Sequence, residues 1–119
     1  MARNAPSVDA YGAGGFRLAG QRHEGSVLII EDQARAWAVS SPAGLTFESL
    51  APVLDAPRAE VELLVLGMGA HNALPSKAIR EGLLAAGIGL EFLDTPGAAK
   101  LYNLLTSEGR RVAAALIAI

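Results

Sequence analysis

Asp94-Thr95-Pro96-Gly97-Ala98-Ala99-Lys100-Leu101-Tyr102-Asn103-Leu104-Leu105-Thr106-Ser107-Glu108-Gly109-Arg110-Arg111-Val112-Ala113-Ala114-Ala115-Leu116-Ile117-Ala118-Ile119, residues 94–119, reads as a capped helix running into a buried strand. Thr95 can cap the helix, with Pro96 at its first position, where a missing N–H costs nothing. Ala98, Leu101, Tyr102 and Leu105 recur on one helical face, and Lys100, Asn103 and Ser107 on another. Gly109 ends the helix. Val112 to Ile119 is apolar throughout, the pattern of a strand covered on both faces.

The segment before it repeats the theme. Val61 to Leu66 is almost wholly apolar and predicts a central strand. Pro75 can occupy the first turn of a helix on which Ile79, Leu83 and Ala86 recur, and Gly87 can take the left-handed conformation that ends it. Ile88 to Leu93 is the next strand. Strand, helix, strand, helix, strand predicts a sheet sandwiched with helices, with a parallel, right-handed crossover from Val61–Leu66 to Ile88–Leu93.

Upstream of Pro52 to Arg58 the punctuation changes. Val8 to Tyr11, Gly15 to Leu18, Ser26 to Ile30 and Ala34 to Val39 are short strand candidates separated by turn residues, as in an antiparallel meander. Alternation of Arg35, Trp37 and Val39 against Ala34, Ala36 and Ala38 gives one bulky and one small face, with Trp37 in the core or at a covered edge. Thr46 is a candidate helix cap stapled by Leu45 and Leu50, but Pro52 keeps any helix there short or broken.

The 119 residues, 51% of them hydrophobic, fit one domain spanning 1–119 with one core. A net charge of −2 supplies no cationic field for nucleic acid, and the absence of cysteine removes disulfides, thiolate chemistry and Cys-ligated metal. No apolar run approaches the roughly 18 to 20 residues that cross a bilayer. The opening residues show neither a secretory h-region nor an Arg-spaced presequence helix, so the chain reads as cytoplasmic, without membrane insertion.

Gly67-Met68-Gly69-Ala70-His71-Asn72 leaves a buried strand and enters a helix, where ligand crevices of α/β sheets form. Gly67, Gly69 and the later Glu91 fit part of a dinucleotide fingerprint, but Asn72 replaces the third glycine and Pro75 places the helix start too late. A tight turn using glycine for its dihedrals is the favoured reading, with no cofactor. His71 and Asp94 both fall at C-terminal strand ends and could pair across one crevice as a base and its orienting carboxylate. The rival is that Asp94 or Thr95 caps the last helix while His71 meets solvent. Ser76, in the first turn of its helix, needs no chemistry to explain it. Asn103 is a poor mid-helix residue, which implies a solvated face or a required hydrogen bond. Arg110 and Arg111 suit the negative end of the last helix, where Glu108 can pair with either. His23 and His71 lie on separate segments, without metal-ligand spacing. The candidate crevice is therefore Gly67, Gly69, His71, Asn72, Asp94, Thr95, Asn103 and Arg110, with no catalytic residue and no metal assigned.

Tyr11-Gly12 with Gly15-Phe16-Arg17, Gly25-Ser26-Val27-Leu28, Trp37, Leu64 to Gly69, Asp94-Thr95 with Ala98-Ala99, Tyr102-Asn103, and Glu108 to Val112 with Ala114-Ala115-Leu116 together resemble the Mth-type domain family. The resemblance implies a three-layer α/β arrangement: a central mixed sheet flanked by helices, with an added antiparallel β-hairpin layer from the N-terminal part. It also implies a noncatalytic interaction or assembly domain, because the family includes a mitochondrial complex I assembly factor. A protein partner follows, and self-association through an open meander edge is compatible with it. The alternative is a small-ligand or enzymatic domain using the Gly67–Asn72 loop and Asp94.

Overall fold

The computed structural model describes residues 4–119. The leader reading begins with residues 1–3, which lie outside that range. Among the described residues, eight strands form two sheets. β1 (Val8–Gly12), β2 (Gly15–Leu18) and β3 (Gln21–Glu24) make an antiparallel sheet in that order. β4 (Val27–Ile30), β5 (Gln33–Ala36), β6 (Leu63–Gly67), β7 (Gly89–Leu93) and β8 (Val112–Leu116) make a mixed sheet in the order β5-β4-β8-β6-β7. β6 runs parallel to both β7 and β8, and β4 runs antiparallel to β5 and β8. The helices are α1 (Ala51–Asp55), α2 (Lys77–Ala85) and α3 (Thr95–Ser107).

The period-2 alternation of the large sheet sorts its side chains into two cores. Leu28, Ile30, Leu64, Leu66, Ala113 and Ala115 face one cluster, closed by Val53 of α1 and by Ile79 and Leu83 of α2. Val27, Ile29, Val65, Val112, Ala114 and Leu116 face the other, closed by Ala98, Ala99 and Tyr102 of α3 and by Phe16 and Leu18 of β2. The small sheet and α3 thus cover one face while α1 and α2 cover the other. This is the three-layer α/β arrangement that the sequence implied.

Several local expectations need correction. Gln21 to Gly25 was expected as a separator, yet it contains β3: Gln21-Arg22-His23-Glu24 is polar at every position, so it carries no hydrophobic period to betray a strand. Val61 to Leu66 was expected as a central strand covered on both faces, and β6 meets that reading: it lies between β8 and β7 and feeds both cores. Pro75 lies outside its helix, because Ser76 caps α2 by accepting the Ile79 N–H. α1 is a short turn with Pro52 near its start, following a 3-10 turn at Glu48–Leu50, as Pro52 demanded. The Thr46 hydroxyl does accept the Ser49 N–H. Trp37 is buried, and its indole N–H donates to the Ser49 carbonyl at 2.9 Å.

Candidate functional site

The candidate crevice lies where β6, β7 and β8 end. Gly67 pairs with Leu116 on one side and Leu93 on the other. A Cβ there would stand 3.0 Å from both the Leu116 side chain and Thr95 Oγ1, so glycine lets the first turn of α3 rest on the strand. Gly69 has a φ of +99°, which matches the expected use of glycine for an unusual dihedral.

Thr95 fills the gap between these strand ends and is fully buried. Its N–H donates to the Gly69 carbonyl at 2.8 Å. Its hydroxyl accepts the Gly69 N–H at 3.0 Å and donates to the Ile117 carbonyl at 2.6 Å. Ile117 N–H in turn donates to Gly67, and Met68 N–H to Leu93. One hydroxyl therefore fastens the loop after β6 to the residue after β8. The expectation that Thr95 caps α3 is replaced: Asp94 is the cap, with extended backbone and Oδ1 accepting the Gly97 N–H at 2.8 Å.

That cap also dissolves the proposed His71–Asp94 pair. The Asp94 carboxylate is turned onto the amides of α3, His71 is exposed, and no hydrogen bond or ion pair joins the two. Asn72 spans to β7, its Nδ2 donating to the Phe92 carbonyl at 3.3 Å while Oδ1 accepts the Ala73 N–H. Because α2 begins at Lys77 and Ser76 already satisfies its first turn, no helix terminus follows Gly69 in the manner of a dinucleotide fingerprint.

Two members of the set lie elsewhere. Asn103 is half-buried on α3 and uses both ends of its amide on one residue: Oδ1 accepts the Val8 N–H at 2.8 Å and Nδ2 donates to the Val8 carbonyl at 2.9 Å. Of the two readings for a mid-helix asparagine, the required hydrogen bond holds. Arg110 precedes β8, so it sits beyond the opposite end of a five-residue strand from Leu116, about 20 Å away at the rise of an extended chain. Its partner is Glu62 at 2.6 Å rather than Glu108. That bond holds the Glu62 carboxyl below its ordinary range. Arg111 donates to the Ala59 carbonyl.

Next to the Thr95 junction lies a groove of about 470 Å³, lined by Ser40, Ser41 and Pro42, by Met68 to His71, and by Ile117, Ala118 and Ile119. Only Gly69 and His71 of the expected residues border it. Met68 and Ile117 were legible as continuations of apolar runs beyond the strand ends, whereas Ser40 to Pro42 arrive through tertiary folding alone. Among the described residues no His, Asp and Glu cluster is placed to hold a metal ion, and no helix is long and apolar enough to cross a membrane.

Two stacked sheets, three helices and a groove at the ends of parallel strands define a class of small α/β domain. The chain belongs to the family described as protein of unknown function (DUF498/DUF598), whose model matches residues 8–117. An uncharacterised protein of Rhodobacter capsulatus is 43% identical over 110 residues, covering 92% of this chain and 82% of that protein. Human NADH dehydrogenase (ubiquinone) 1 alpha subcomplex assembly factor 3 is 32% identical over 117 residues, covering 98% of this chain and 62% of that protein, so the chain spans less than two thirds of it. Among solved structures, a Bartonella henselae protein described as an outer membrane protein superposes with a TM-score of 0.88 at 31% identity, covering 99% of this chain and 98% of that one. A Bordetella pertussis protein described as a Mth938-like domain superposes with a TM-score of 0.81 at 29% identity, covering 98% and 88%. The Mth-type resemblance read from the sequence is thus met in both family and fold.

Proposed function

We propose that this chain is a noncatalytic interaction domain serving the assembly of a larger protein complex, with respiratory complex I biogenesis as its most concrete form. The names of its relatives in human and zebrafish support that direction. The observation that carries it is the commitment of polar groups at the strand ends. Asp94, Thr95, Asn72 and Ser76 all spend their side chains on the chain's own backbone. The adjoining groove is walled largely by Met68, Ala70, Ile117, Ala118 and Ile119. Such a surface suits contact with another protein better than proton transfer, which needs a free base held against an orienting partner. A cytoplasmic location belongs to the same proposal.

Affinity capture of the tagged chain from its own cells, beside an Ala70→Arg variant that fills the groove mouth, tests this reading. Ala70 is exposed, so the variant retains the fold. Recovery of complex I subunits or their assembly intermediates with the wild type, and their loss with the variant, is the expected outcome; recovery of none with the wild type contradicts it. A second reading, small-ligand binding in the same groove, draws on its volume, which falls in the range of about 300–1,000 Å³ typical of such sites. Heat stabilisation by a metabolite, abolished in Ala70→Arg, would favour that reading.

A further inference from the structure

Among the described residues the two sheets have four edges, and the chain's own side chains engage or charge three of them, β7 at a single carbonyl. At β1 the Asn103 amide occupies both the N–H and the carbonyl of Val8. At β7, Gly89 N–H and the Leu93 carbonyl bond toward β6, which leaves Leu90 and Phe92 facing outward, and Asn72 has taken the Phe92 carbonyl. At β3, Gly25 N–H bonds to Gly14, so Arg22 and Glu24 are the outward positions. Both are charged and joined at 2.7 Å, and Arg22 also folds over the Gly12 and Ala13 carbonyls.

β5 is the exception. Trp37 N–H donates to the Ser26 carbonyl, which fixes the alternation: residues 33, 35 and 37 bond toward β4, while Ala34 and Ala36 aim their N–H and carbonyl groups away from the sheet. From Gln33 to Val39 there is no lysine and no proline, and the pairing of β5 with β4 has no bulge. Those are three of the devices that ordinarily protect an edge, and the one charge on this short strand, Arg35, sits at a position whose backbone bonds toward β4. The outward positions carry only methyl groups.

A cavity of about 300 Å³ borders this edge on the Trp37 side of the sheet, lined by Arg35, Glu31, Asp55, Pro52, Ala56 and Pro57. Its two carboxylates outnumber its one guanidinium. None of Glu31, Arg35 and Asp55 makes an ion pair or side-chain hydrogen bond among the described residues. A strand laid beside β5 would send every second side chain over this cavity, so main-chain bonding and a side-chain pocket stand together, the two parts of recognition by strand addition.

We propose that the β5 edge receives an extended segment of a protein partner, hydrogen-bonded to Ala34 and Ala36, with a lysine or arginine side chain reaching Glu31 and Asp55. A second copy of this chain is a poorer occupant, because antiparallel pairing about Arg35 would set two guanidinium groups directly opposite. The proposal shares with the function proposed above only the premise that the domain works through protein contacts. It uses a different surface from the groove at Met68 and Ile117.

The test places a photo-cross-linking amino acid at Ala38 in the full chain, expressed in its own cells, and maps the captured peptide by mass spectrometry. The expected product joins Ala38 to a partner segment of extended character containing lysine or arginine. Its yield falls about tenfold in Ala36→Pro, as the loss of one or two main-chain hydrogen bonds requires. It also falls severalfold in Asp55→Lys. Ala36→Pro removes an N–H that the sheet does not use, at an edge where proline is tolerated, and Ala36→Lys serves as a second edge variant. Absence of a cross-link, a yield indifferent to these variants, or a cross-link to a second copy overturns the proposal. Capture of complex I proteins by the chain carrying the photo-cross-linker at Ala38 and no other substitution, without any cross-link at Ala38, rejects the edge and leaves the assembly reading standing. A cross-link that meets the criteria on a protein outside complex I supports the edge and counts against the assembly reading alone.

Discussion

The two ends of the parallel strands use hydrogen bonds of equal length for unequal purposes. At the C-terminal end the Thr95 hydroxyl donates to Ile117 at 2.6 Å with no solvent access; at the N-terminal end Arg110 donates to Glu62 at 2.6 Å with both side chains about half exposed. Water competes for the second bond and not for the first. A buried donor or acceptor that loses its partner bears the full desolvation cost, while an exposed ion pair gives back to water most of what it gained. Length alone does not rank these contacts; burial does. The lesson extends to function, since the polar residues that looked most like a site are those the fold can least spare.

Substitutions can break or sharpen that contrast. Thr95→Val keeps the shape but strands Gly69 N–H and the Ile117 carbonyl, and should cost about 3 kcal/mol in urea-induced unfolding. Asn103→Ala should cost about 1–2 kcal/mol by releasing both backbone groups of Val8, with faster hydrogen exchange confined to β1 and its neighbours. Asp94→Ala removes a helix cap and should cost about 1 kcal/mol, with no further loss when combined with His71→Ala. A large non-additive term in that double variant would restore the discarded pair.

Arg110→Ala should have the smallest effect, near the error of the measurement at neutral pH. Its sign can still be read from pH. The bond from Arg110 keeps the Glu62 carboxyl below its ordinary range when folded. A group of that kind adds stability above its unfolded pKa, about 4.3, and loses it as the pH falls through the folded value. The small deficit of Arg110→Ala should therefore vanish in acid and shrink in high salt. A deficit that grows in acid would mean the arginine acts through something other than Glu62.

Much of the architecture was legible because burial leaves a period. The run at Val61–Leu66, apolar but for Glu62, and the unbroken one at Val112–Ile119 announced strands covered on both faces, and Ala98, Leu101, Tyr102 and Leu105 announced the helix. β3 was illegible because all four of its residues are polar. The site was less legible for a different reason. Thr95 and Asp94 are adjacent and both suit a helix cap, and only the position of Ile117, brought alongside by the sheet, decides that the hydroxyl turns inward while the carboxylate caps. Asn103 offered two readings until β1 was seen to lie against α3. Arg110 had Glu108 near it in sequence, yet strand pairing offered it Glu62 instead.

Native-state hydrogen exchange at the Gly69 amide bears most directly on the claim that the strand-end polar groups are structural. Gly69 follows the end of β6, and a mobile ligand-binding loop would exchange it as fast as the exposed Ala70 and His71 amides. The account predicts protection in Gly69 comparable to that of Ala114 in the central strand, lost in Thr95→Val. Exchange at Gly69 as rapid as at His71 in the wild type would contradict it.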